Sequence, residues 1–137
     1  MKQKNLTFPS TSDSLHLVES IIDEISAELH LDEDYYGNIL IAVTEAVNNA
    51  INHGNKQDPT KTVTFVFTEN EDHSIKFIIG DQGPGFDFEN IPDPTSPENI
   101  DKINGRGVFL MKQLSDGVTF EDQGRVVELS FKLAQHA

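Results

Sequence analysis

The chain has 137 residues, a formal net charge of −13 and a sequence pI near 4.5, with 36% hydrophobic and 24% charged residues. That length and balance suit one globular domain with one core over residues 1–137. The negative charge repels nucleic-acid phosphates, so no direct nucleic-acid partner is expected; the absence of cysteine excludes disulfides and thiolate metal sites; and no apolar run reaches the ~20 residues of a membrane span, so no membrane partner is expected.

The sequence begins MKQKNLTFPSTSD, basic but without the apolar segment of a signal peptide, and a cytoplasmic location is expected. Residues 4–8 read as a short strand stopped by Pro9. Ser10 and Asp13 form a capping-box-like pair ahead of a helix carrying Leu15, Val18, Ile22, Ile25 and Leu29 at helical spacing. Asp32 caps a second helix, with Glu33 and Asp34 in its first turn, where the helix dipole favours acids. That helix is predicted to run to about His53, with Gly54 ending it.

Residues 61–69 and 73–81 are β-branched and aromatic, and ENED between them has turn chemistry, which predicts a hairpin. Glycine and proline crowd residues 82–107, which read as a long loop. A short helix follows over Val108 to Leu114. GVTFED and RVVELSFKL are two more strands, with Gly124 in their turn. Strand, two helices, hairpin, loop, helix and hairpin imply an α+β fold: a two-layer α/β sandwich, its sheet mostly antiparallel and its helices on one face.

Three stretches are unusual. The first is EAVNNAINHGN, residues 45–55. At about 100° per residue, Ile39, Leu40, Val43, Ala46, Val47 and Ala50 fall on one side, and Glu45, Asn48, Asn49, Asn52 and His53 on the other. A solvated face normally carries Lys, Glu, Gln and Arg; this one repeats asparagine, a mediocre helix former, and has no Lys or Arg. Glu45 and Asn49 are one turn apart and therefore neighbours. Alone, the stripe also fits an outer face exposed to water.

The second stretch is GDQGPGFD, residues 80–87, where Gly83 and Gly85 let the backbone turn sharply and approach a ligand. An ordinary tight turn uses the same residues. The third is INGRGVFLMKQL, with Gly105 and Gly107 before a helix start and Arg106 between them. Free N–H groups at such a start suit phosphates, although a hinge would need no ligand. Neither GxxxxGK[ST] nor GxGxxG occurs, and the catalytic loop of eukaryotic-type protein kinases is absent.

In order and spacing, EAVNNAINHGN, DQGPGFD and GRGVFLMKQL resemble the N, G1 and G2 boxes of the Bergerat-fold, histidine-kinase-like ATPases. Among them the chain looks like the bacterial anti-sigma-factor serine kinases, over nearly its whole length. The resemblance implies ATP and Mg²⁺ as cofactors. It implies that Glu45 is the general base for an attacking serine hydroxyl and that Asn49 is the Mg²⁺ ligand. A neutral amide oxygen suits a hard cation beside a triphosphate. It implies that Asp81 accepts from the adenine amino group, that Gly83 and Gly85 lie against the base, and that Gly105, Arg106, Gly107 and Val108 meet the phosphates. His53 matches a family position near the phosphates or a helix-end structural residue. Residues 86–107, with Pro92, Pro94 and Pro97, would be a lid.

One departure stands out. The family commonly carries Gly-Thr where this chain has Gly124-Arg125, and the Thr hydroxyl assists the adenine-binding aspartate, so adenine selectivity is in question. The implied partners are ATP or ADP, a small antagonist protein, a sigma factor and a second copy of the chain in a homodimer. The alternative is a catalytically silent, nucleotide-gated partner-binding module. A histidine-kinase fragment is disfavoured, since no phosphoacceptor helix pair precedes the domain.

Overall fold

The computed structural model describes residues 3–85 and 103–133. In chain order they form β1 (Gln3–Pro9), α1 (Ser14–Leu29), α2 (Glu33–Asn49), β2 (Thr62–Glu69), β3 (Ser74–Gly80), α3 (Ile103–Leu114), β4 (Gly117–Glu121) and β5 (Val126–Lys132). The sheet order is β1-β2-β3-β5-β4 and every pairing in it is antiparallel. The α+β fold with a hairpin at β2–β3 and another at β4–β5 is as expected. The lid expected over 86–107 falls outside the described residues from 86 to 102.

One face of the sheet is buried under helices. Along each strand the alternate residues point inward, and the register lines them up across strands. Phe65, Ile79 and Val127 form one row, and Phe67, Phe77 and Leu129 the next. All six are buried. Phe77 is central: its ring meets Phe65 at 5.8 Å, Phe67 at 5.3 Å and Phe131 at 6.0 Å, tilted or edge-on as the ring quadrupoles prefer. Val18, Ile22 and Ile25 of α1 and Ile39, Ala42, Val43, Ala46 and Val47 of α2 close this core. The other sheet face carries Thr64, Lys76, Glu128 and Ser130, with Lys76 and Glu128 paired at 3.0 Å. Period-two alternation therefore explains why only one face recruits helices.

Helix ends follow local chemistry, with three differences from expectation. Asp32 does cap α2, its Oδ1 accepting from the Tyr35 N–H at 2.9 Å. Ser10 and Asp13, however, form no capping box. Asp13 makes no side-chain cap bond, and the buried Ser10 hydroxyl donates instead to the Lys61 carbonyl at 2.8 Å. A long-range acceptor has outcompeted the local one. At its C-terminal end, α2 does not stop near His53 as an α-helix. From Ala50 to Gly54 it widens into a π turn, in which the Asn55 N–H reaches back to the Ala50 carbonyl at 2.8 Å. Such widenings recur at functional sites. Third, α3 begins at Ile103, so Gly105, Arg106 and Gly107 belong to the helix and do not precede it.

Asn55 joins the layers. It is 0% exposed. Its Nδ2 donates to Ser10 Oγ at 2.7 Å and to the Thr62 carbonyl at 2.9 Å, and its Oδ1 accepts from the Gln82 N–H at 2.7 Å. One amide thus ties the end of α2 to β1, to β2 and to the loop after β3. Asn55→Ala is expected to lower unfolding stability by on the order of 3 kcal/mol in urea titration, because it strands several buried polar groups; a change near zero would contradict this role. Asp32→Ala, which removes only an exposed cap, is expected to cost about 1 kcal/mol, and a loss as large as that of Asn55→Ala would show that the cap matters far more than its geometry suggests.

Candidate functional site

The π turn, the loop after β3 and the turn between β4 and β5 meet around one pocket. Its walls include Ala46, Ala50, Ile79, Met111, Phe120 and Val127, and its polar groups come from Asn49, His53, Asp81 and Arg125. An apolar slot with a few convergent polar groups is the usual form of a small-molecule site. Small residues on α2 create the space: alanine at 46 and 50 leaves room that a larger aliphatic side chain would fill.

Asp81 begins the loop. Its N–H donates to the Arg125 carbonyl at 2.9 Å, extending the β3–β5 ladder by one bond. Its Oδ1 accepts from the Gly83 N–H at 2.8 Å. Burial pushes the carboxyl above its ordinary pKa, while the Gly83 N–H and the nearby Arg125 charge oppose the rise. The carboxylate rests directly on Gly54, where a β-carbon would fall 2.3 Å from Asp81 Cγ. Gly83 lies equally close to the same turn: a β-carbon there would sit 1.8 Å from the Gly54 carbonyl oxygen. Glycine at 54 and 83 is therefore what lets the helix end and the loop touch. Gly85 has φ 84° and lines the pocket beside the β4–β5 turn, and a β-carbon on it would fall 2.2 Å from the Gln123 carbonyl oxygen.

At the other end, Glu45 and Asn49 face α3. A β-carbon on Gly107 would lie 2.9 Å from Asn49 Nδ2, 3.2 Å from Asn49 Oδ1 and 3.3 Å from Glu45 Oε2. The absence of a side chain at 107 thus brings α3 against this acid–amide pair. Arg106 projects outward and is exposed, whereas Val108 is in the core at 1% exposure and has only its backbone to offer. The helix leaves the N–H groups up to Gly105 without an intrahelical acceptor, while those of Gly107 and Val108 point along the helix. His53 lines the pocket, and burial holds its imidazole below the ordinary pKa. Asn52 accepts from the Gln57 side chain at 2.8 Å and is a turn residue.

The structure therefore brings Asn49, His53, Asp81 and Gly85 to one pocket, with Glu45 and Gly107 beside Asn49. No group of three or more His, Asp or Glu side chains among the described residues could hold a metal ion. The donor chemistry fits a divalent cation that takes one protein oxygen, from Asn49, and completes its shell with phosphate and water. Sequence reasoning missed Gly54 and Asn55 as parts of the site, although both stand inside the asparagine-rich stretch; no local pattern announces that a helix-ending glycine also seats a carboxylate. The departure at Gly124-Arg125 did fall at the pocket, but the reach of the Arg125 guanidinium to the Gly83 carbonyl was not foreseen. No helix among the described residues is long and apolar enough to cross a membrane.

Residues 8–131 match the family model for the histidine kinase-like ATPase domain. The chain is 28% identical over 129 residues to the serine-protein kinase RsbW of Staphylococcus aureus strains JH9 and Newman, an alignment covering 89% of this chain and 81% of the relative. Among solved structures, it is similar to the RsbU and RsbW domains of a Mycobacterium tuberculosis protein. That likeness has a TM-score of 0.72 and 18% identity, covering all of this chain and 34% of the other. It is also similar to the histidine kinase domain of a blue-light activated histidine kinase from Erythrobacter litoralis, with a TM-score of 0.51 and 20% identity, covering 91% and 61%. The two solved likenesses carry the fold alone, and the family model carries membership: the chain belongs to the histidine kinase-like ATPase domain family.

Proposed function

We propose that this protein binds Mg-ATP in the pocket and transfers the γ-phosphoryl group to a serine of a small antagonist protein. A sigma factor would be its second protein partner, held inactive while the antagonist is phosphorylated or absent. The observation that carries the reading is the convergence of Glu45, Asn49 and Gly107 at one end of the slot that Asp81 closes at the other. The kinship with a serine-protein kinase supports the choice of acceptor.

Each residue then has a physical task. Asp81 presents Oδ2 to the exocyclic amino group of adenine, its Oδ1 being engaged by Gly83. The apolar walls take the base ring. Asn49 Oδ1 would hold Mg²⁺, which would supply neutralisation of the triphosphate charge. Glu45, one turn away, takes the proton of the serine hydroxyl as its oxygen bonds to the γ-phosphorus and the bond to the ADP oxygen breaks. The helix N-terminus up to Gly105 and the Arg106 cation offer positive potential to the phosphates of an otherwise strongly acidic protein. Action as a dimer belongs to this proposal as well.

Two measurements test it. Mg-ATP at a hundred times its Kd is expected to add about 2.7 kcal/mol to stability and raise the melting temperature, with GTP giving far less; equal shifts would remove Asp81 from base recognition. With a cognate antagonist and radiolabelled ATP, Glu45→Gln is expected to slow phosphate transfer by about 10²–10⁴-fold while ATP binding persists. Transfer at the wild-type rate would take the base role from Glu45. Binding without transfer by the wild type would favour the silent binding module.

A further inference from the structure

The turn between β4 and β5 is strained. Asp122, Gln123 and Gly124 have φ of 50°, 58° and 88°, three consecutive residues in the left-handed region, two of them with side chains. For the two residues with side chains such conformations are strained and persist where surrounding structure holds them. Here the turn presses on the loop after β3, Gly85 lying against the Gln123 carbonyl. Its next residue is Arg125. The guanidinium, 29% exposed, folds over the loop and does not pair directly with Asp81. Nε donates to the Gly83 carbonyl at 2.6 Å and Nη2 to the Pro84 carbonyl at 3.4 Å. Nη1 turns back to Asp122, donating to its carbonyl and to Oδ1 at 3.3 Å each.

We infer that Arg125 is a positioning residue for base recognition: it clamps the Gly83–Pro84 backbone to the β4–β5 turn, and so fixes the Asp81 carboxylate in the orientation that receives the 6-amino group of adenine. The inference rests on the proposed nucleotide site and goes beyond it. The chain of contacts is short. Arg125 holds the Gly83 carbonyl, the Gly83 N–H holds Asp81 Oδ1, and Oδ2 is left for an incoming donor. With most of its donors committed to the loop and its own turn, the guanidinium has little to offer a base carbonyl. It therefore supports selectivity for adenine and does not broaden it. A fixed planar fork suits this task, since it grips two successive carbonyls while bonding its own turn. This answers the departure at Gly124-Arg125: a guanidinium acting through the loop stands where a hydroxyl acting on the aspartate was expected.

The test is titration calorimetry with Mg-ATP and Mg-ITP, which differ where the amino group of adenine becomes a carbonyl. Arg125→Met is expected to weaken ATP binding about tenfold, the scale of one well-placed hydrogen bond, and to leave the weaker ITP binding unchanged. In an Asp81→Asn background the same substitution is expected to change ATP affinity by less than about twofold. Arg125→Lys, which keeps the charge but grips one carbonyl, is expected to fall between and serves as the working variant should Arg125→Met not fold. Unchanged ATP affinity in the variants, an equal loss for ATP and ITP, or a full loss persisting without Asp81 would each overturn the inference. Failure of the wild type to bind ATP would instead sink the nucleotide site itself.

Discussion

The Asn55 carboxamide has no contact with solvent, and each of its polar atoms is bonded inside the protein. A buried amide with one bond missing would destabilise its surroundings by several times what a single bond contributes. The segments it joins are therefore held in one mutual arrangement. That arrangement sets how close Gly54 comes to Asp81 and Gly83, and so where the pocket ends. The Gln82 side chain adds a second tie, accepting from the Thr62 N–H at 2.7 Å. The loop after β3 is thus anchored from the helix side and the strand side, and Arg125 anchors it from the third direction.

Close backbone approach is the common device. Gly54, Gly83, Gly85 and Gly107 each stand where a β-carbon would collide or crowd. Three of them shape the Asp81 end, and one brings α3 to the acid–amide pair. An acidic chain with a net charge of −13 cannot attract a triphosphate through its general field. What remains is local: a helix N-terminus, an exposed Arg106 and the proposed Mg²⁺. The proposed chemistry depends on backbone placement more than on a cluster of cations.

Much of the fold was legible because the core alternates cleanly. Val63, Phe65, Phe67 and Ile75, Phe77, Ile79 have the strand period, and Val18, Ile22 and Ile25 the helical one. Asp32 was legible as a cap because its partner lies three residues on. Ser10 was misread because its partners, Lys61 and Asn55, are distant in sequence. The start of α3 was misread because glycine argues against helix, yet Gly107 is worth its propensity cost where α3 meets Asn49. Within the site, the stripe of Glu45 and Asn49 was visible from spacing alone. The seating of Asp81 on Gly54 and the reach of Arg125 to Gly83 were not, since both cross between elements far apart in the chain.

The central claim is that one ligand occupies both ends of this slot at once. A crystal structure with Mg²⁺ and a non-hydrolysable ATP analogue tests it most directly. The account predicts the base amino group on Asp81 Oδ2, the metal on Asn49 Oδ1 and the γ-phosphate within reach of Glu45. A nucleotide bound elsewhere, or one whose base lies away from Asp81 with its phosphates pointing from Asn49 to solvent, would contradict it.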